Sequence, residues 1–155
     1  MGEWNEEVRH FMAYWFTGLI KGLKSLNEPE RKVILRECGK SCAESCTTEI
    51  FLEARRQSTD MIGFLSNLAD SFPEARYEQI APDTIRVHYT YCACDLVQCG
   101  LAEDPLICEC SAFNLQENFE GALEISVRVT LERSILEGAP ECVLLVSLEN
   151  QPEEE

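Results

Sequence analysis

Residues 123–132, Leu123-Glu124-Ile125-Ser126-Val127-Arg128-Val129-Thr130-Leu131-Glu132, decide the fold class. The apolar side chains at 123, 125, 127, 129 and 131 alternate with polar ones, a period of two that builds a strand with one buried face. A strand covered on one side belongs in an antiparallel sheet. Downstream, a turn through Glu137-Gly138-Ala139-Pro140 leads to Cys142–Leu148. That stretch is apolar at nearly every position, so it is expected at the centre of the sheet or covered on both faces. Upstream, Tyr77–Ile80 and Thr84–Cys92 flank the turn residues Ala81-Pro82-Asp83 and read as a hairpin. Ile85, Val87, Tyr89 and Tyr91 alternate there with Thr84, Arg86, His88 and Thr90, which places His88 on the polar side. Between hairpin and strand, Ser111 is expected to cap a short helix carrying Ala112, Leu115 and Phe119, which Gly121 can close.

Before Pro73 the period is helical. Trp4, Val8, Phe11, Met12, Trp15, Leu19, Leu23 and Leu26 recur at three- and four-residue steps and form one stripe, widened by Phe16 and Ile20. Asn27 and Glu30 resemble a capping box for a second helix through Val33, Ile34, Arg36 and Cys38, ending near Gly39 or continuing through Cys46. Thr47 or Thr48 can cap a third, through Ile50, Phe51 and Ala54. Ser58 or Thr59 can cap a fourth, with Met61, Ile62, Leu65, Leu68, Ala69 and Phe72 on its stripe. The expected fold is therefore α+β, with N-terminal helices packed on an antiparallel sheet of about four strands. Residues 1–148 are expected to form a single domain, helical over 1–73 and sheet-forming over 74–148, followed by a solvated acidic tail at 149–155. The stripe of the first helix is broader than one layer of such a domain covers, which points to a symmetric homodimer through it.

Composition narrows the partners. A chain of 155 residues with 45% hydrophobic content can bury a core without disulfide staples. Its net charge of -15 repels phosphate backbones, so no nucleic-acid partner is expected. No apolar run approaches the roughly 20 residues that span a bilayer, and the start lacks the pattern of a secretory signal. Glu6 stands where a myristoylation motif needs Ser or Thr. The expectation is a cytoplasmic protein with no membrane partner. In a reducing compartment, nine cysteines mean metal ligands, reactive thiols or small buried residues before they mean disulfides.

Four of the nine form two Cys-x-Cys pairs, Cys92 with Cys94 and Cys108 with Cys110. Sulfurs sharing a tetrahedral zinc approach within about 4 Å, whereas residues two apart on a regular strand lie nearly 7 Å apart. Each pair can therefore chelate only where regular structure breaks, and both sit beside an expected break. The four resemble a structural zinc site; the alternative is small buried residues lining a sheet edge. Cys38, Cys42 and Cys46 recur at four-residue steps with Ile34 and are expected to be core, although three thiols on one helix face can also bind a soft metal. Cys99 is a possible fifth ligand or an exposed thiol. His88 can join a ligand set or face solvent, and His10 carries no argument.

Several segments together resemble the C-terminal half of a 4-vinyl-reductase-like (hydrocarbon-binding) small-molecule-binding domain. They are Cys92-Ala-Cys94, Cys108-Glu-Cys110-Ser111, Phe119-Glu120-Gly121, Val129-Thr-Leu131-Glu132, Ser134-Ile135-Leu136-Glu-Gly138 and Glu141-Cys142-Val-Leu144. The nearest relatives by this likeness are cysteine-rich proteins grouped with the L-2-amino-thiazoline-4-carboxylic acid hydrolases. The resemblance covers about the last 65 residues by motif, with Cys38-Gly39 and Cys42-Ala43 matching in the helical half. It implies helices on an antiparallel sheet, a dimer, an apolar pocket for a small apolar or aromatic ligand, and in some members a cysteine-held zinc beside that pocket. Two positions depart from the pattern: Ala112-Phe113-Asn114 where a glycine and an aromatic are expected, and Leu144 where an aromatic is expected.

No phosphate loop, nucleophile elbow or His-Glu-x-x-His motif is present. The preferred reading is a sensor or carrier domain with no catalytic residue. The alternative is a hydrolase acting on a small cyclic amino-thio substrate through a metal-bound water, or through Cys94 or Cys110 as nucleophile.

Overall fold

A computed structural model describes residues 5–149. Trp4, the Met1-Gly2 start and positions 150–155 of the acidic tail lie outside the described residues. The chain begins with α1, Glu6–Ser25, whose N-cap Asn5 accepts a hydrogen bond from the Val8 amide. Helix α2, Glu28–Cys42, starts on the expected Asn27 cap, with the Asn27 side chain accepting from the Glu30 amide. It does not end at Gly39. The helix widens to π spacing over Ala43–Thr47 and runs straight into α3, Thr48–Arg56. Neither Thr47 nor Thr48 is needed as a cap, because the backbone never leaves the helical region there. Helix α4, Met61–Ser71, is capped by Asp60 rather than Ser58 or Thr59; the Asp60 carboxylate accepts from the Gly63 amide at 2.8 Å.

The sheet follows as β1, Ala75–Ala81; β2, Thr84–Tyr89; β3, Val127–Arg133; and β4, Cys142–Leu148. All three pairings are antiparallel, in the order β1-β2-β4-β3. Strand β4, apolar at every position but Ser147, is an interior strand, as its sequence requires. Between β2 and β3 lie the short α5, Asp95–Gln98, a 3₁₀ turn at Pro105–Ile107, and α6, Cys108–Leu123.

Two sequence expectations fail together in this region. Helix α6 begins three residues before Ser111, and it continues past Gly121 to Leu123, where Glu124 closes it in the left-handed region at φ 56°. The alternation at 123–126 is therefore helical and capping structure, and the strand begins at Val127. Its parity was nevertheless right: Val127 is buried, and Val129 and Leu131 pack on the core from the same face.

Helices α3, α4 and α6 cover one face of the sheet. Phe51, Phe64 and Phe119 meet edge to face, with centroids 5.4 to 6.4 Å apart, over Ile85, Val87, Leu144 and Val146. Helix α1 contributes only Ile20 and Leu23 as buried residues, and these pack with Leu35. Val8, Phe11, Trp15 and Leu19, the outer part of its expected stripe, are exposed, Phe11 by 63% and Trp15 by 54%. On α2 the buried positions are Leu35 and Gly39, with Ala43 buried one turn further on, so the thiol stripe beside them is turned outward. Cys38, Cys42 and Cys46 are exposed, which corrects the expectation that they are core. Among the described residues no helix is long and apolar enough to cross a membrane.

Candidate functional site

Helices α2 and α6 run side by side in the same sense, and their contact organises the cysteines. Near one end Arg31 of α2 faces Glu109 of α6, Nε to Oε2 3.7 Å apart. At the other end Asn118, buried on α6, donates to Thr47 Oγ1 at 2.8 Å and to Asn114 Oδ1 at 3.2 Å. At the middle the backbones almost touch. A Cβ on Gly39 would fall 2.7 Å from the Cys110 carbonyl oxygen, 2.7 Å from Phe113 Cβ and 2.8 Å from the Asn114 amide nitrogen. Only glycine permits that approach.

Within this frame the four predicted zinc ligands separate. Successive residues on an α-helix turn by about 100°, so Cys108 and Cys110, both in the first turn of α6, point to nearly opposite sides. Cys108 packs with Ala102 and Ile107. Its sulfur lies 3.0 Å from the hydroxyl of the fully buried Ser134, and nearby the Ile135 amide donates to Cys142 Sγ at 3.3 Å. Cys110 instead packs with Ile20, Leu23, Leu35 and Phe113 on the α1–α2 side. Cys92 and Cys94 are half-buried between β2 and α5, outside regular structure, as a shared role would need. Among the described residues no group of three or more His, Cys, Asp or Glu side chains is arranged to hold a metal ion as it stands. The helical start at Cys108 sends the side chains of Cys108 and Cys110 to different sides of α6.

Electrostatics draw a different grouping. Burial pushes the Cys110 thiol up to about 12, and repulsion from Cys38, Cys42, Cys94 and Cys108 adds to it. Cys42 is solvent-exposed, yet enough of its thiol is turned toward α6 for burial to raise its pKa. Cys94 raises it further, and a hydrogen bond with Asn114 opposes the shift. Cys108 rises to about 11, again chiefly by burial, with its Ser134 bond opposing and Cys142, Cys92 and Cys94 adding charge. So Cys110 feels Cys38, Cys42, Cys94 and Cys108, while Cys108, bonded to Ser134, feels Cys142, Cys92 and Cys94. Thiols held at about 11 and 12 are almost wholly protonated at neutral pH, the opposite of what a nucleophile needs. Cys99 is exposed at the end of α5.

His88 is not solvent-facing. Although it lies on the sheet face away from the helices, it is buried, with Nδ1 3.1 Å from Glu141 and Nε2 3.6 Å from Glu78. Both neighbours are carboxylates rather than thiols, so His88 does not stand as a base beside a cysteine.

A cleft of roughly 610 Å³ opens between α1 and residues 100–105. Ala13, Phe16 and Ile20 line one wall and Leu101, Ala102 and Pro105 the other, with Lys21 and Lys24 along the edge. Lys24 pairs with Asp104, the residue that caps the 3₁₀ turn and whose carboxyl this contact holds below its usual range. Sequence patterning placed Phe16 and Ile20 on the helix stripe but had no means of seating residues 100–105 opposite them. A second hollow of roughly 430 Å³, between α3 and α4, is lined by Glu49, Glu53 and Asp70 together with Ile50 and Ala54.

No protein-family model and no curated protein sequence matches the chain. Solved structures share its fold. A trafficking protein particle complex subunit 3 from Naegleria fowleri, covalently bound to palmitic acid, superposes with a TM-score of 0.57 at 12% identity, covering 97% of this chain and 100% of that one. The phenol-responsive sensory domain of the transcription activator PoxR, with phenol, superposes with a TM-score of 0.55 at 11% identity, covering 88% of this chain and 74% of that one. The α+β arrangement of helices on a four-stranded antiparallel sheet is therefore one that proteins of different roles share.

Proposed function

We propose that this chain is a small-molecule-binding domain, a sensor or carrier of an apolar ligand, and that the ligand enters the cleft between α1 and residues 100–105. The cleft carries this reading. Its volume falls within the range of drug-sized ligand sites, its walls are aliphatic and aromatic, and a few polar groups sit at its edge. Lys21 stands there outside the ion pairs formed by the described residues, while Glu103 and Asp104 also line the cleft and Asp104 is paired with Lys24. A ligand with an apolar body and an anionic end, such as a fatty or aromatic carboxylate, matches both features. The shared fold of a palmitate-bound subunit and a phenol-bound sensor supports the same class of ligand, as does the hydrocarbon-binding likeness of the cysteine-rich half. Of the two thiols considered as nucleophiles, burial holds Cys110 protonated, which disfavours it in that role.

A fluorescent fatty acid titrated into the full chain should bind saturably. Ala13→Trp, which fills the cleft, should abolish that binding, and Lys21→Glu should weaken it by about tenfold, the loss of one charge-assisted contact. Undiminished binding by the Ala13→Trp protein, with its fold intact by circular dichroism, would sink the assignment.

The outer face of α1 supports a homodimer as part of the same reading. Val8, Phe11, Trp15 and Leu19 are spaced to meet a second copy of the helix, and little of the rest of the chain covers them. Light scattering should give a dimer mass for the wild type and a monomer mass for Phe11→Asp/Trp15→Asp. A monomeric wild type at micromolar concentration defeats this part alone.

A further inference from the structure

Lys21 and Lys24 are three residues apart on α1, so both project from one side of the helix, along the edge of the cleft. Two ammonium groups so placed repel, and a carboxylate beside them relieves the repulsion. Lys24 already has one, Asp104, which lies 80 residues away in sequence on the opposite wall. The two oxygens of Asp104 do different things. Its Oδ2 meets Lys24 Nζ, while its Oδ1 accepts from the Leu106 amide at 2.9 Å and so caps the 3₁₀ turn Pro105–Ile107. The wall is anchored without Lys24: the Leu101 and Ala102 amides both donate to the Leu96 carbonyl, at 2.8 and 3.1 Å, and both side chains are buried. The ion pair itself is solvated, with Lys24 54% and Asp104 28% exposed, so it exchanges at little cost.

We infer that Asp104 is a built-in competitor for the anion position of the cleft: its carboxylate holds Lys24 in the empty chain, and the carboxylate of a ligand takes Lys24 from it. This rests on the cleft being the ligand site, and it adds how the chain tells an anionic ligand from a neutral one of the same length. A neutral ligand leaves the Lys24–Asp104 pair in place. An anionic ligand exchanges one exposed ion pair for another, which is nearly neutral, and gains only what Lys21 adds. The released Asp104, with Glu103 on the same wall, then faces the incoming charge and repels it. Preference for a carboxylate is therefore held down by Asp104, a specificity-determining residue that acts through Lys24.

A fluorescent fatty acid and the fatty alcohol of the same chain length should be titrated into the full chain, and the ratio of the two affinities compared among variants. Asp104→Asn keeps an oxygen for the Leu106 amide but releases Lys24. The carboxylate-to-alcohol ratio should rise about two- to fivefold, the range of one exposed ion pair. Lys24→Gln should lower the ratio, and Asp104→Asn added to Lys24→Gln should raise it by a clearly smaller factor than in the wild type. Simple repulsion of anions by the charge of Asp104 would raise the ratio equally in both backgrounds. An unchanged ratio in Asp104→Asn, folded by circular dichroism, or an equal rise with and without Lys24 overturns the competitor role alone. A wild type that binds neither probe, or an Ala13→Trp protein that still binds both, removes the cleft and the competitor with it.

Discussion

The two packing regions of the molecule are built on different principles. Over the sheet, Phe51, Phe64 and Phe119 interlock with strand residues from β2 and β4, and the fully buried Phe64, Phe119, Leu68, Ile85 and Val87 leave no slack. At the α1 end, Ile20, Leu23 and Leu35 form a small cluster, closed only by half-buried neighbours such as Leu106, Cys110 and Phe113. The first region supplies stability through area and density. The second keeps an open cleft, an uncovered helix face and a corner of thiols. The dense core lies in the first region, and the proposed ligand cleft borders the second.

The largest way to break this contrast is in the aromatic core. Phe119→Ala should destabilise the chain by about 3–5 kcal/mol in urea titrations, because the densely packed neighbours cannot collapse into the space. A cost below about 1 kcal/mol would mean that the aromatic core does not anchor the fold.

Alkaline pH probes the thiol corner. The Cys110 thiol is raised from 9.0 to about 12 in the folded chain, so the native state holds its proton where the unfolded state has lost it. Stability from this group is complete below pH 9 and falls as pH climbs from about 9 toward 12. For a half-buried thiol the loss is on the order of 2 kcal/mol. Urea titrations of the metal-free protein across this window should show a decline that Cys110→Ala flattens. An unchanged slope in that variant refutes the assignment.

Gly39→Ala should cost about 1–3 kcal/mol, since the new methyl group meets the α6 backbone rather than a side chain that can move aside. On any other exposed helix the same change would stabilise slightly. A gain in stability would show that α2 and α6 are not in contact here. The smallest effect separates the two regions through their helix caps. Asp60→Ala, at the start of α4 in the core, should lower global stability by about 1 kcal/mol. Asn5→Ala should instead loosen only the first turn of α1, seen as faster amide exchange at Val8 with an unchanged unfolding midpoint. Equal global losses from both would mean that α1 unfolds with the core.

Much of this was legible in the chain itself. Alternation in 84–89 and 127–133, the nearly all-apolar 142–148 and the Asn27 cap are local signals, and local backbone geometry enforces them wherever the chain lies. The apolar excess on the first helix was also readable, since it needs only the period of 3.6. What the chain did not reveal were outcomes of competition between neighbouring segments. Residues 123–126 alternate like a strand, but α6 extends through Leu123 because its Leu115, Phe119 and Ala122 face the sheet. The early start of the same helix at Cys108 turned one Cys-x-Cys pair to opposite sides. The α2 stripe was ambiguous between Leu35-Gly39-Ala43 and Cys38-Cys42-Cys46, two rows a short rotation apart on one helix. Only the near contact of Gly39 with α6 decided which row is buried, because it depends on a backbone 70 or more residues away in sequence, beyond the reach of any local period.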